Sequence, residues 1–74
     1  MRKVKEIARE IIEVWPRPNY AAIPYLKAMC EMDSVDDHVG ADSGRGVVLY
    51  FLSNANSFRG KTAVRLKKEL RGLL

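Results

Sequence analysis

The sequence contains one cysteine, Cys30, and one histidine, His38. A single cysteine cannot form an intramolecular disulfide or a cysteine-based zinc cage, which fits a reducing cytosol better than a secreted context. With no serine in a nucleophile-elbow motif either, there is no catalytic triad whose members can be named. We therefore expect a protein that is not an enzyme and that holds no metal or other cofactor.

Long apolar segments are also absent, since no run approaches the roughly 18 to 20 residues needed to cross a bilayer. The basic N-terminal stretch MRKVKEIAREIIEVW is interrupted by charges where a signal peptide would carry an apolar core. These absences predict a cytoplasmic protein with no membrane partner. Proline and glycine number only three and five, which argues against disorder. We expect one folded domain, residues 1–74, whose small core makes weak self-association conceivable.

Helical periodicity is clearest near the N-terminus. Four apolar residues recur there at intervals of three and four: Val4, Ile7, Ile11 and Val14. This spacing predicts an amphipathic helix over residues 2–15 that ends before Pro16, because proline lacks a backbone N–H. A second helix is predicted over residues 22–32, with Pro24 tolerated in its first turn. A short helical turn near residues 34–39, closed by a left-handed Gly40, is a further possibility.

The longest uncharged apolar run, Gly46 to Ala55, has no period that separates a helix from a strand. It follows Asp42 and Ser43, whose side-chain oxygens are good helix caps, and no other segment alternates convincingly enough to pair with a strand. We therefore predict a helix over residues 43–56 and expect it to be the most buried element. A final helix over residues 58–73, capped by Ser57, completes an all-α fold, a compact bundle of four helices.

Several short motifs resemble those of a known group of proteins. They are PYLKAM (Pro24 to Met29), the DS pairs at 33–34 and 42–43, YFLSNA (Tyr50 to Ala55), FRG (Phe58 to Gly60) and KKEL (67–70). The combination is similar to that of small uncharacterised proteins encoded by tailed bacteriophages and prophages. Phe58 stands where that pattern has tryptophan, an aromatic exchange that preserves an anchoring role. The resemblance implies a phage origin and the host bacterial cytoplasm, and it carries over no site residue.

Charge is distributed unevenly along the chain. Residues 31–42 carry five acidic side chains and no base, whereas residues 58–74 carry six bases and one acid. Asp33, Asp36 and Asp37 form a candidate acidic contact surface for a basic partner. Their spacing does not match a calcium loop, because an apolar residue, Val35, stands where the second ligand belongs.

The basic C-terminal segment is the strongest candidate contact site. Its residues are Arg59, Lys61, Arg65, Lys68 and Arg71, and the middle ones recur at three or four residues on one predicted helical face. A charged outer face is also typical of any terminal helix of a soluble protein. Protein binding, to an unidentified host or phage protein, is the leading interpretation. A nucleic-acid-binding regulator with a helix-turn-helix is the alternative. A structural component that self-associates head to tail is a further one.

Overall fold

A computed structural model describes all 74 residues of the chain. It contains four α-helices: α1 (Val4–Val14), α2 (Ile23–Met29), α3 (Gly44–Ser53) and α4 (Lys61–Leu73). A 3₁₀ turn, Tyr20–Ala22, leads directly into α2. Between α2 and α3, strands β1 (His38–Val39) and β2 (Asp42–Ser43) form a small antiparallel sheet. The prediction of a mainly helical chain with four helices is confirmed, but the small sheet means that the fold is not purely all-α.

The helices pack in a chain of neighbours around one core. Helix α1 contacts both α4 and α2, and α2 in turn contacts α3. Eighteen buried apolar side chains form a single cluster, and no polar or charged side chain is buried with them. The predicted stripe of α1 is buried at Val4, Ile7 and Ile11, whereas Val14 is 43% exposed. The core therefore lies between the inner faces of all four helices.

The chain leaves α1 at Trp15, whose backbone N–H donates to the carbonyl of Ile11 at 2.8 Å, and Pro16 follows immediately. The Trp15 side chain is 8% exposed and stacks on Phe58 with ring centroids 4.8 Å apart. It also meets the ring of Phe51 edge-on at 6.3 Å. These three rings join α1, α3 and the connection between α3 and α4.

The predicted helical turn near residues 34–39 is wrong. A single hydrogen-bonded turn, in which the N–H of Asp37 donates to the carbonyl of Ser34 at 3.1 Å, leads into the hairpin instead. The Asp37 carboxylate accepts hydrogen bonds from the N–H groups of Asp33 and Ser34 at 2.8 and 3.1 Å. Such local side-chain bonds favour a turn over a helix. Gly40 has the predicted positive φ, 62°, and it occupies the first position of the two-residue hairpin turn, as in a type II′ turn.

Helix α3 begins as predicted and ends earlier. The Ser43 hydroxyl accepts a hydrogen bond from the N–H of Gly46 at 3.1 Å, which caps the first turn. Gly44 is buried, and its N–H donates to the Asp37 carbonyl at 2.7 Å. A Cβ at this position would lie 2.6 Å from the Val35 carbonyl oxygen. The glycine therefore lets the backbone of residues 35–37 pack directly against the start of α3.

Helix α4 begins three residues later than predicted, and Ser57 does not cap it. Its N-cap is Gly60, at φ 106°, a conformation that side chains rarely adopt. The Ser57 hydroxyl instead donates to Asn19 Oδ1 at 2.9 Å, and Asn19 Nδ2 donates to the carbonyl of Asn54 at 2.6 Å. Phe58 is buried against Trp15 before the helix starts. The connection between α3 and α4 is therefore fastened to the turn that follows α1.

Candidate binding surface

Helix α4 separates its side chains into an inner and an outer set. Ala63, Leu66 and Leu70 point into the core and are at most 1% exposed. On the opposite side, four residues at helical spacing are exposed: Lys61, Val64, Lys68 and Arg71. Lys61, Arg65 and Lys68 of the predicted basic stripe are all exposed, but Arg65 forms an ion pair with Glu10 of α1.

A four-residue ionic network fastens the side of α4 that carries Arg65 to α1. Arg2 pairs with Glu10 at 2.8 Å and makes two hydrogen bonds to the Glu69 carboxylate at 2.6 and 2.8 Å. Arg65 pairs with the other oxygen of Glu10. The Arg65 and Arg2 guanidinium groups lower the pKa of Glu10, and Arg2 lowers the pKa of Glu69. The two acidic groups on this side are thus matched by two arginines.

Bases without an ion pair remain on the other side of α4 and just before it. We call this set the basic face; its members are Arg59, Lys61, Lys67, Lys68 and Arg71. Four of them were predicted as contact residues. Lys67 was not, although it is a sixth base of the same segment, because it does not fall on the predicted stripe.

Lys67 connects the basic face to the residues before α4. Its ammonium group donates to the carbonyl of Phe58 at 2.6 Å and lies 5.7 Å from the centroid of the Phe58 ring. Burial lowers the pKa of Lys67, and the nearby charges of Arg71 and Arg59 lower it further. Because Arg71 and Arg59 both act on the pKa of Lys67, the bases of α4 and of residue 59 contribute to one positive region.

Val64 is 65% exposed and lies within the basic face, between Lys61 and Lys68 along the helix. An apolar side chain surrounded by charged ones resembles, on a small scale, the apolar centre and polar rim of a protein interface.

The relation between α3 and α4 differs from that in a helix-turn-helix. Residues 54–60 connect them, so the connection has seven residues, where that motif uses about three or four. Helix α4 packs on α1 and α3 packs on α2. The helix-turn-helix expected for the nucleic-acid alternative is therefore not formed by these two helices.

The acidic residues predicted as a contact surface make bonds within the chain. Asp33 pairs with Lys5 at 2.7 Å, and this contact lowers the pKa of Asp33. Asp36 pairs with Arg45 at 3.3 Å. Asp37 accepts the backbone hydrogen bonds of its own turn. All three acids thus help to hold the loop between α2 and the hairpin.

Other reactive side chains lie apart from this surface. Cys30 is half-buried at the end of α2, where burial raises the pKa of its thiol. His38 is exposed on β1. No three histidine, cysteine, aspartate or glutamate side chains come together in a group that could hold a metal ion.

Comparison with known protein families, with curated proteins and with solved structures finds no match to this chain. None of the helices is both long and apolar enough to span a bilayer. The candidate surface is therefore defined by the residues and geometry of this chain alone.

Proposed function

We propose that this chain is a small, non-enzymatic accessory protein of a tailed bacteriophage or prophage. It acts in the host bacterial cytoplasm by binding an acidic surface on a host or phage protein. The observation that supports this proposal is the basic face, in which five bases without an ion pair lie on and beside the helix that also exposes Val64.

The surface is suited to fast, charge-guided association. Lys61 and Arg71 are ten residues apart on α4, which separates them by about 15 Å along the helix axis. Complementary charge across such a surface accelerates encounter and excludes partners of the same sign. The ionic network with α1 holds α4 in place on its other side. Little backbone entropy is therefore lost when a partner binds.

A protein partner accounts for this surface better than duplex DNA does. Val64 lies where a phosphate-binding helix would gain from another base, and no amide or aromatic side chain lies on the outer face of α4 to contact base edges. An acidic protein surface with an apolar residue at its centre would match both the bases and the valine.

Charge reversal of the outer face tests the proposal. In the variant Lys61→Glu, Lys68→Glu, the tagged protein should no longer capture the partner that the unmodified protein takes from a nuclease-treated bacterial lysate. Both sites are exposed, and glutamate is a good helix former, so the fold should persist. The matched control is Arg9→Glu, Arg17→Glu, which changes the net charge equally at exposed bases on other segments. This control should still capture the partner.

Two outcomes would contradict the proposal. The first is equal capture by both variants, since the outer face would then be irrelevant to binding. The second is tight binding to duplex DNA at about 50 mM salt, with an affinity that falls steeply as the salt concentration rises. In that case the Lys61→Glu, Lys68→Glu variant would lose DNA binding and the control variant would keep it. That result would instead support the nucleic-acid-binding alternative.

A further inference from the structure

Helix α3 has an exposed face without charge. Gly46, Leu49, Tyr50 and Ser53 recur at three and four residues along it, and Leu49 and Tyr50 are 53% and 55% exposed. No charged residue occurs between 46 and 58. The one charged residue of α3, Arg45, pairs with Asp36. By contrast, α1, α2 and α4 each expose lysine, arginine or glutamate.

The neighbouring helix supports this face. The ring of Tyr50 stacks on that of Tyr25 in α2, with centroids 5.5 Å apart and planes inclined by 28°. Tyr25 is half-buried, so it holds the exposed Tyr50 ring against the body of the protein. A side chain that is already ordered loses little rotamer entropy when it is covered. Leu49, Tyr50, Ser53 and Tyr25 together form what we call the neutral face.

We propose that the neutral face binds a second copy of this chain around a two-fold axis. In such a dimer a surface meets an identical surface, so a surface whose charges all have one sign would face charges of that same sign. The chain has a net charge of +4, and the basic face could not meet itself without repulsion. The neutral face carries no charge, so two copies of it can meet without that repulsion. For the same reason it offers no electrostatic attraction to an acidic partner, which would be directed to the basic face instead.

The size of the face sets the strength of this contact. Helix α3 has ten residues and is about 15 Å long. A contact of this length covers less than the roughly 800 Å² per partner of a typical stable interface. We therefore infer a weak, reversible dimer with a dissociation constant on the order of 100 µM. The contact does not involve α4, so each dimer would present two basic faces and could bind a repeated acidic partner with greater avidity.

Sedimentation equilibrium from about 10 µM to about 1 mM, a range that brackets this affinity, tests the proposal. The average mass of the unmodified chain should rise from 8.4 kDa toward twice that value. Leu49→Glu places a like charge on both copies at the contact and should keep the mass at that of the monomer. Because Leu49 is half exposed and glutamate is a good helix former, this variant should fold, which circular dichroism would verify.

Val64→Glu is the matched control, since it introduces the same charge at a similarly exposed apolar residue of α4. It should dimerise like the unmodified chain. In NMR spectra of the unmodified chain, the amide signals that shift with concentration should belong to residues around Leu49 and Tyr50. A mass of 8.4 kDa for the unmodified chain at every concentration would overturn the proposal. Equal loss of self-association in Leu49→Glu and Val64→Glu would also overturn it. So would a chain that stays monomeric and uses this face for another protein, whose capture would then be lost in Leu49→Glu.

These results are separable from those for the basic face. The Lys61→Glu, Lys68→Glu variant should still dimerise even though it loses the acidic partner. Leu49→Glu should still capture that partner from solution, at monomer affinity. Failure of one proposal would therefore leave the other standing.

Discussion

Replacing Gly44 by alanine tests whether the loop between α2 and the hairpin is packed onto α3 as described. The added Cβ would lie 2.6 Å from the carbonyl oxygen of Val35, 2.7 Å from that of Asp37 and 2.8 Å from the terminal methyl of Met32. The methionine can turn aside, but the two oxygens belong to the backbone. Moving them would also disturb the 2.7 Å hydrogen bond from Gly44 N–H to the Asp37 carbonyl.

The expected loss of stability follows from two opposing effects. Overpacking of a well-packed site costs about 1–3 kcal/mol. Restricting the unfolded chain by the change from glycine to alanine returns about 0.4–1 kcal/mol. The middle of each range leaves a net loss of about 1.3 kcal/mol, which for a domain of this size lowers the melting temperature by roughly 5–10 °C.

Thermal unfolding followed by circular dichroism would measure this effect. The control is Gly72→Ala in the last turn of α4, where a Cβ would meet nothing within 4 Å. That variant should gain at most about 0.5–1 kcal/mol, because alanine is the better helix former but Gly72 is the second-to-last residue of α4. The same chemical change should thus have opposite signs at the two sites. A Gly44→Ala protein as stable as the unmodified one would refute the close packing of the loop.

Three further stability predictions follow from other contacts. Lys61→Glu should raise stability by about 0.3–1 kcal/mol in urea unfolding at low salt, because α4 has no acidic residue in its first turn to interact with the helix dipole; an unchanged midpoint would argue against this helix start. The pKa values of Glu10 and Glu69 are lowered in the folded state, so these groups stabilise the protein above the unfolded glutamate pKa of about 4.3. That contribution is lost as the pH falls through the lowered pKa values of the folded state. Arg2→Ala should therefore reduce the drop in melting temperature on acidification; an undiminished drop would count against the network. Phe58→Ala should cost about 3–5 kcal/mol in urea unfolding, because the ring is buried and stacked on the indole of Trp15; a loss below about 1 kcal/mol would contradict that packing.

The helices were predictable where the sequence itself carries a period or a stop signal. The spacing of apolar residues and Pro16 gave α1 to within two residues at its start and one at its end. The run from Gly46 to Ala55 was predicted as a helix from its caps. Which side of this helix faces solvent was not predictable, because a continuous apolar run does not show which residues point outward. The expectation that this helix would be the most buried element therefore did not anticipate the exposure of Leu49 and Tyr50.

The hairpin and the outer face of α4 depended on contacts that the sequence does not reveal. Strands of two residues have no alternating pattern to detect, and Gly40 was read as the end of a helical turn rather than as a hairpin turn. Arg65 was grouped with Lys61 and Lys68 from helical spacing alone. Its pairing with Glu10, 55 residues away in the chain, depends on how α1 and α4 pack. Long-range ion pairs of this kind decide which bases of a stripe remain unpaired.

The position of Trp15 makes it an internal reporter of assembly. It is the only tryptophan in the chain, and its indole stacks on Phe58 and makes a T-shaped contact with Phe51. Isolated helices could form without shielding it, so its fluorescence should follow the docking of α1 onto α3 and the connection to α4. Circular dichroism at short wavelengths would follow helix content instead. Any interval between the two signals during refolding would show that the helices form before they pack.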